Sequence, residues 1–183
     1  MGTSMLAIVQ ARVGSTRLPG KVLKEIHGKT LIEILFSRLN RSQRIDKIIL
    51  ATSTNQENDP LVKIVENLQI DIFRGSEHDV LGHFFYAAQK YQATDVVRIT
   101  GDCPIIDPSL VDKVIELYLE THVDYASNNQ PPTYPDGLDT EVFSFAALKA
   151  AHEQSSTAYD REHVTPYIRR DGKFRRINYS NDV

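Results

Sequence analysis

The sequence predicts an α/β domain built on a mostly parallel sheet, and three observations carry that prediction. Short β-rich runs alternate with longer segments of helical periodicity as far as residue 127. The first run, LAIVQ (6–10), is continuously apolar to its last residue, as strands covered on both faces are. Helix-start signals stand between the runs: one capping box and two Asp-Pro pairs.

Taken in order, MGTSM (1–5) reads as a cloning remnant and the single domain as 6–183. LAIVQ is the first strand. Thr30 with Glu33 caps a helix whose Leu31, Ile34, Leu35 and Leu39 repeat at helical spacing. KIILAT (47–52) is the second strand, and Asp59-Pro60 opens a helix with Leu61, Ile64, Val65 and Leu68 on its inner face. IDIF is a short strand; Leu81, Phe84, Phe85 and Ala88 mark the next helix and DVVRIT (95–100) the next strand. Asp107-Pro108 starts a helix carrying Leu110, Val111, Val114, Ile115 and Tyr118, and VDYAS is a strand. NNQPPTYPDG then breaks the rhythm as a polar loop, before a strand near 139–144, helical patterns near 145–170 and a strand near 174–178.

Bulk properties narrow the function. A length of 183 residues, 41% hydrophobic and 25% charged, suits one soluble globular domain. A formal net charge of -3 argues against a general nucleic-acid binder, so the cations between residues 12 and 24 point to a local site. The single cysteine, Cys103, excludes an internal disulfide and favours a reducing, cytoplasmic compartment. No basic segment precedes a long apolar stretch, and no apolar run approaches the about 20 residues of a membrane span.

That site begins at ARVGSTRLPGK (11–21), directly after the first strand, where open α/β sheets bind ligands. Gly14 and Gly20 free backbone N–H groups, and Arg12, Arg17 and Lys21 supply positive charge for an anion such as phosphate. The segment is no P-loop: five residues separate the glycines where four are required, and Val22 stands in place of Ser or Thr. A solvated loop is the plain alternative. RITGDCPIID tips the balance by putting Asp102 just past a strand on the same sheet. A carboxylate beside a phosphate loop suits magnesium, which favours one or two carboxylates plus phosphates and water.

IVQARVGSTRLPGKVL with TGDCPIIDP resembles the cytidylyltransferases that activate acidic sugars, the CMP-3-deoxy-manno-octulosonate and CMP-sialate synthetases. RGSEHDVL, YPDGLDTEVF and REHVTPYI resemble the spore coat polysaccharide branch in particular. The resemblance covers residues 6–179 and implies a Rossmann-like, three-layer αβα nucleotidyltransferase fold of the nucleotide-diphospho-sugar transferase type. It implies transfer of CMP from CTP to a sugar hydroxyl, with Mg2+ as cofactor, and dimers are usual in the family. By the same resemblance Arg12 and Lys21 meet the triphosphate, and Asp102 is the metal ligand. Gly14, Ser15, Thr16 and Arg17 add donors and charge.

Thr52, Ser53 and Asn55 follow the second strand, as readers of cytosine edges or as plain turn residues. Arg74 and Asp79 resemble the segment bordering nucleotide and sugar, although Asp79 also suits a helix cap. Asp136, Asp139 and Glu141 are expected on the sugar side, the last two on one side of a strand. Arg161 is expected to pair with a substrate carboxylate, with His163 nearby. Relatives run on past this chain's end, where a further aspartate joins the metal site. Two rivals remain: a nucleotide-sugar glycosyltransferase, which lacks its D-x-D-like pair here, and a non-catalytic nucleotide-binding module.

Overall fold

The computed structural model describes residues 4–14, 18–170 and 172–181. The chain starts with β1 (Met5–Gln10), a small hairpin of β2 (Glu25–Ile26) and β3 (Lys29–Thr30), and α1 (Leu31–Leu39). β4 (Lys47–Ser53), α2 (Asp59–Asn67), β5 (Asp71–Gly75), α3 (Val80–Lys90), β6 (Asp95–Thr100) and α4 (Pro108–Thr121) continue the alternation. β7 (Tyr125–Ser127), β8 (Glu141–Ser144), α5 (Phe145–Gln154), α6 (Ala158–His163), α7 (Pro166–Arg169) and β9 (Arg176–Asn178) complete it.

Local chemistry sets the helix starts. Thr30 Oγ1 accepts from the Glu33 N–H while Glu33 reaches back to the Thr30 N–H, closing the capping box at α1. Asp107 Oδ1 accepts from the Ser109 N–H at 2.8 Å, and Pro108 takes the first helical position of α4.

Among the described residues, seven strands form one sheet in the order β5-β4-β1-β6-β8-β7-β9. β5, β4, β1 and β6 run parallel, whereas β8 is antiparallel to both β6 and β7. The pleat sends Ala7 and Val9 toward α1, α2 and α4, and Leu6 and Ile8 toward α3, α5 and α7, giving three layers with a core on each side.

The chain leaves β1 toward β4 and later crosses to β6 on the other side. This topological switch point gathers the carboxyl ends of β1, β4 and β6.

Three expectations are corrected, and one element is new. Met5 is part of the sheet, since it opens β1 and its N–H donates to Asp46 Oδ2 at 2.7 Å. Leu68 follows the end of α2 and is 37% exposed instead of facing inward. The strand after the loop begins at Glu141, not near 139; the helical patterns expected near 145–170 are three helices. The β2–β3 hairpin was not foreseen; His27 and Gly28 turn it, both with positive φ.

Candidate functional site

The loop after β1 is fixed at both ends by hydrogen bonds the sequence does not advertise. Gly20 adopts φ 65°, and its N–H donates to the Val13 carbonyl at 3.1 Å, closing the loop on itself. The Val13 N–H donates to Oδ1 of the fully buried Asn58 at 2.8 Å, and Asn58 Nδ2 donates to Ser53 Oγ at 2.8 Å. One side chain therefore ties the loop after β1 to the end of β4. On the other side the Gly101 N–H donates to the Gln10 carbonyl at 2.7 Å. A Cβ on Gly101 would stand 2.5 Å from Ala11 Cβ, so β1 and β6 approach this closely only because residue 101 is glycine. Gly14 lies against the Glu57 carboxylate. Ser15, Thr16 and Arg17 lie outside the described residues.

This framework brings Lys21 and Asp102 together: Lys21 Nζ donates to Asp102 Oδ2 at 3.4 Å. Both line an open cleft of about 400 Å³ together with Thr100, Cys103, Asp136 and Asp139. Burial pushes the Asp102 carboxyl up, but the Thr100 hydroxyl and the charge and hydrogen bond of Lys21 outweigh it and hold the group below the usual range. Burial, then the neighbouring Asp136 and Glu141, raise Asp139. Burial pushes the Cys103 thiol up to about 11, with Asp102 and Asp139 adding to the shift against the Thr100 hydrogen bond. At neutral pH it is a thiol, poorly suited to act as a nucleophile.

A smaller cavity of about 100 Å³ lies between the ends of β1 and β4. Ala11, Ala51 and Val80 give it flat apolar walls; Thr52, Ser53, Glu77 and His83 give it polar groups. Thr52 is 2% exposed, and its hydroxyl has no hydrogen-bond partner. His83 Nε2–H donates to the Ser76 carbonyl at 2.7 Å. Burial lowers its pKa more than that bond and Asp79 raise it. Arg12 stands at the cavity mouth, 3.5 Å from Glu77 Oε1 and 3.9 Å from Glu162 Oε1. Asn55 Nδ2 donates to the second Glu77 oxygen.

Other expected site residues are engaged elsewhere. Arg74 donates to the Ser53 carbonyl and the Asn55 carbonyl, each at 3.0 Å, and pairs with Asp59 at 2.8 Å. It props the 53–55 turn instead of lining either cavity. Asp79 and Arg161 do meet, but they occupy one another: Arg161 Nη2 donates to Asp79 Oδ2 at 2.8 Å, and Nη1 donates to the His152 carbonyl at 3.0 Å. Asp79 also caps α3 through the Gly82 N–H. Glu141 does not share a face with Asp139. It points into the core, where Arg98, the Tyr125 hydroxyl and the Thr165 hydroxyl bind it. Burial raises its pKa, but Arg98 and the two hydroxyls outweigh burial and keep it ionised. His163 is exposed and rests on the Tyr159 ring at 4.5 Å.

Sequence reasoning missed Asn58, Glu77, His83 and Glu162. Glu77 and His83 flank Asp79 in RGSEHDVLGHF, and Glu162 adjoins Arg161, so these residues lie within the motifs already singled out. Asn58 carried no signal, because its partners are backbone and side-chain groups 45 and five residues away.

A family model described as cytidylyltransferase matches residues 6–181. An uncharacterised protein of Methanocaldococcus jannaschii is 42% identical over 164 residues; the match covers 90% of this chain but only 66% of that protein. The spore coat polysaccharide biosynthesis protein SpsF of Bacillus subtilis is 33% identical over 180 residues, covering 96% of this chain and 74% of that protein. A cytidylyltransferase structure from Leptospira borgpetersenii serovar Hardjo-bovis superposes with a TM-score of 0.94 at 30% identity, covering 99% of this chain and 77% of that one.

Proposed function

This chain belongs to the cytidylyltransferase family, and on that premise we propose that it transfers CMP from CTP to a sugar hydroxyl with release of pyrophosphate. The observation that carries the reading is the Lys21–Asp102 contact at 3.4 Å, which sets a cation and a carboxylate side by side at the switch point. In such a reaction the hydroxyl oxygen bonds to the α-phosphorus as the bond to the β-phosphate oxygen breaks. Positioning and charge neutralisation do most of the work. Arg12 and Lys21 hold the triphosphate, and Arg12 exchanges its two carboxylate partners for phosphate oxygens. The smaller cavity takes the cytosine ring between the ends of β1 and β4. Asp136 and Asp139 accept hydrogen bonds from the sugar in the larger cleft.

The donor set at Asp102 fits Mg2+. Among the described residues no three His, Cys, Asp or Glu side chains converge as a preformed metal cage. An accessible carboxylate in an open cleft, next to a phosphate loop, is what magnesium uses with phosphate and water ligands. Asp102 would hold it, and the ion supplies charge neutralisation at the α-phosphate and a lowered pKa for the attacking hydroxyl. The sugar is of the acidic ulosonic type implied by the motifs at 8–23 and 100–108, and its product feeds cell-surface or spore-coat polysaccharide in the cytoplasm. The printed name of the Bacillus subtilis relative supports the polysaccharide assignment.

Calorimetric titration with CTP, UTP, ATP and GTP, with and without Mg2+, tests the reading. Selective CTP binding, tightened by Mg2+ in the native chain but not in Asp102→Ala, is expected. Equal binding of all four nucleotides, or a preference for UTP, overturns it.

A further inference from the structure

We infer that Glu77 is the residue by which this site tells cytosine from uracil, its carboxylate accepting a hydrogen bond from the 4-amino group of the base. The inference rests on the reading of the smaller cavity as the base site. Cytosine and uracil differ along one edge. Cytosine presents an amino donor at position 4 and an acceptor at N3; uracil presents a carbonyl acceptor and an N–H donor. A site that selects cytosine needs an acceptor facing position 4, and a carboxylate, which cannot donate, repels the uracil carbonyl there.

Two carboxylates line the cavity, Glu77 and Glu162. Their side chains are 24% and 56% exposed, so Glu77 is the better shielded and the stronger discriminator. Glu77 stands between β5 and α3, on the same cavity as the unpartnered Thr52 hydroxyl.

The current partners of Glu77 suit this role. Asn55 Nδ2 donates to one carboxylate oxygen and fixes the side chain. Among the described residues the other oxygen receives only a long 3.5 Å contact from Arg12, whose side chain is 49% exposed. When Arg12 turns to the triphosphate, that oxygen is left with an unused lone pair at the cavity. The 4-amino group replaces the guanidinium, so binding of the phosphates prepares the acceptor that reads the base.

The test titrates the native chain, Glu77→Gln and Glu162→Gln with CTP, UTP and the triphosphate of pyrimidin-2-one riboside, which lacks the 4-substituent, all with Mg2+. In the native chain, loss of the 4-amino group is expected to weaken binding about tenfold or more, the size of a hydrogen bond to a charged group. Glu77→Gln should weaken CTP by a similar factor and narrow the CTP-to-UTP ratio, since its amide can donate to the uracil carbonyl. Glu162→Gln, at the more exposed Arg12 side of the cavity, should change CTP and UTP in the same proportion. If Glu77→Gln weakens CTP and UTP equally, Glu77 acts only through Arg12 and the inference fails. If the native chain binds CTP and the pyrimidinone nucleotide alike, it fails on unaltered protein, whatever the variants' folding. A native chain that binds no pyrimidine nucleotide instead overturns the underlying base-site reading.

Discussion

Asn58 accepts a 2.8 Å hydrogen bond from the Val13 backbone N–H and so adds a side-chain tie between the loop after β1 and the β4 end to the backbone bond from the Ala11 N–H to the Ala51 carbonyl. The same amide donates to Ser53 at 2.8 Å in a fully buried position. Asn58→Ala therefore leaves the Val13 N–H without a partner and takes one of two donors from Ser53 Oγ, the Asn55 N–H remaining at 3.3 Å. At about 1–3 kcal/mol for an unsatisfied group, a loss of that order is expected in urea unfolding. CTP affinity should fall as well, because both the phosphate loop and the 52–55 segment lose their shared anchor. Unchanged stability would show that water replaces the amide without loss.

Gly101→Ala tests how closely β1 and β6 must approach. The new methyl would meet Ala11 Cβ at 2.5 Å and the Gln10 carbonyl at 3.0 Å. Overpacking of this kind costs about 1–3 kcal/mol and should displace Asp102, the next residue. Combining it with Ala11→Gly removes the closer of the two clashes. The double variant should regain part of the stability in thermal unfolding and part of the Mg2+-dependent tightening of CTP. No rescue would place the strain at the Gln10 carbonyl instead.

Much of this was legible in the sequence because it is written locally. The strand DVVRIT matches β6 residue for residue, and the Thr30–Glu33 box and Asp107-Pro108 start the helices they signal. The Lys21–Asp102 pair followed from two motifs each sitting at a strand's carboxyl end. What stayed hidden depends on long-range partners. The alternation that placed Asp139 and Glu141 on one side holds only within a strand, and β8 starts at Glu141. Arg161 looked available for a substrate until the fold brought Asp79 to it from 82 residues away.

Two histidines make stability fall on mild acidification. His83 and His152 both have pKa values lowered from 6.5, in each case chiefly by burial; Arg161 adds to the effect at His152. The folded chain thus takes up their protons less readily than the unfolded chain. As pH drops below 6.5 the unfolded state binds more protons and the native state loses stability. The lowered acids Asp102 and Glu141 start from 3.8 and 4.5 and contribute only at lower pH. Tm should decline between pH 7 and pH 5, and His83→Gln should flatten that decline, leaving the share of His152. An unaltered slope in the variant would remove His83 from the account.

Glu141 separates structural from substrate roles. It is 4% exposed, and Arg98, itself bound to Gln10 Oε1 at 3.2 Å, is its cationic partner. Removing one member of a buried pair leaves the other charge uncompensated, at about 3–5 kcal/mol. Glu141→Ala should therefore lower stability by that order in urea unfolding and release the Tyr125 and Thr165 hydroxyls. Asp139→Ala, in the open cleft, should barely change stability while weakening sugar binding to the CTP-loaded chain. The opposite pattern, a stable Glu141→Ala chain that binds CTP but no sugar, would return Glu141 to the substrate. In the expected pattern the three carboxylates of DGLDTE divide by burial: Glu141 on β8 holds the sheet together, and Asp136 and Asp139 face the cleft.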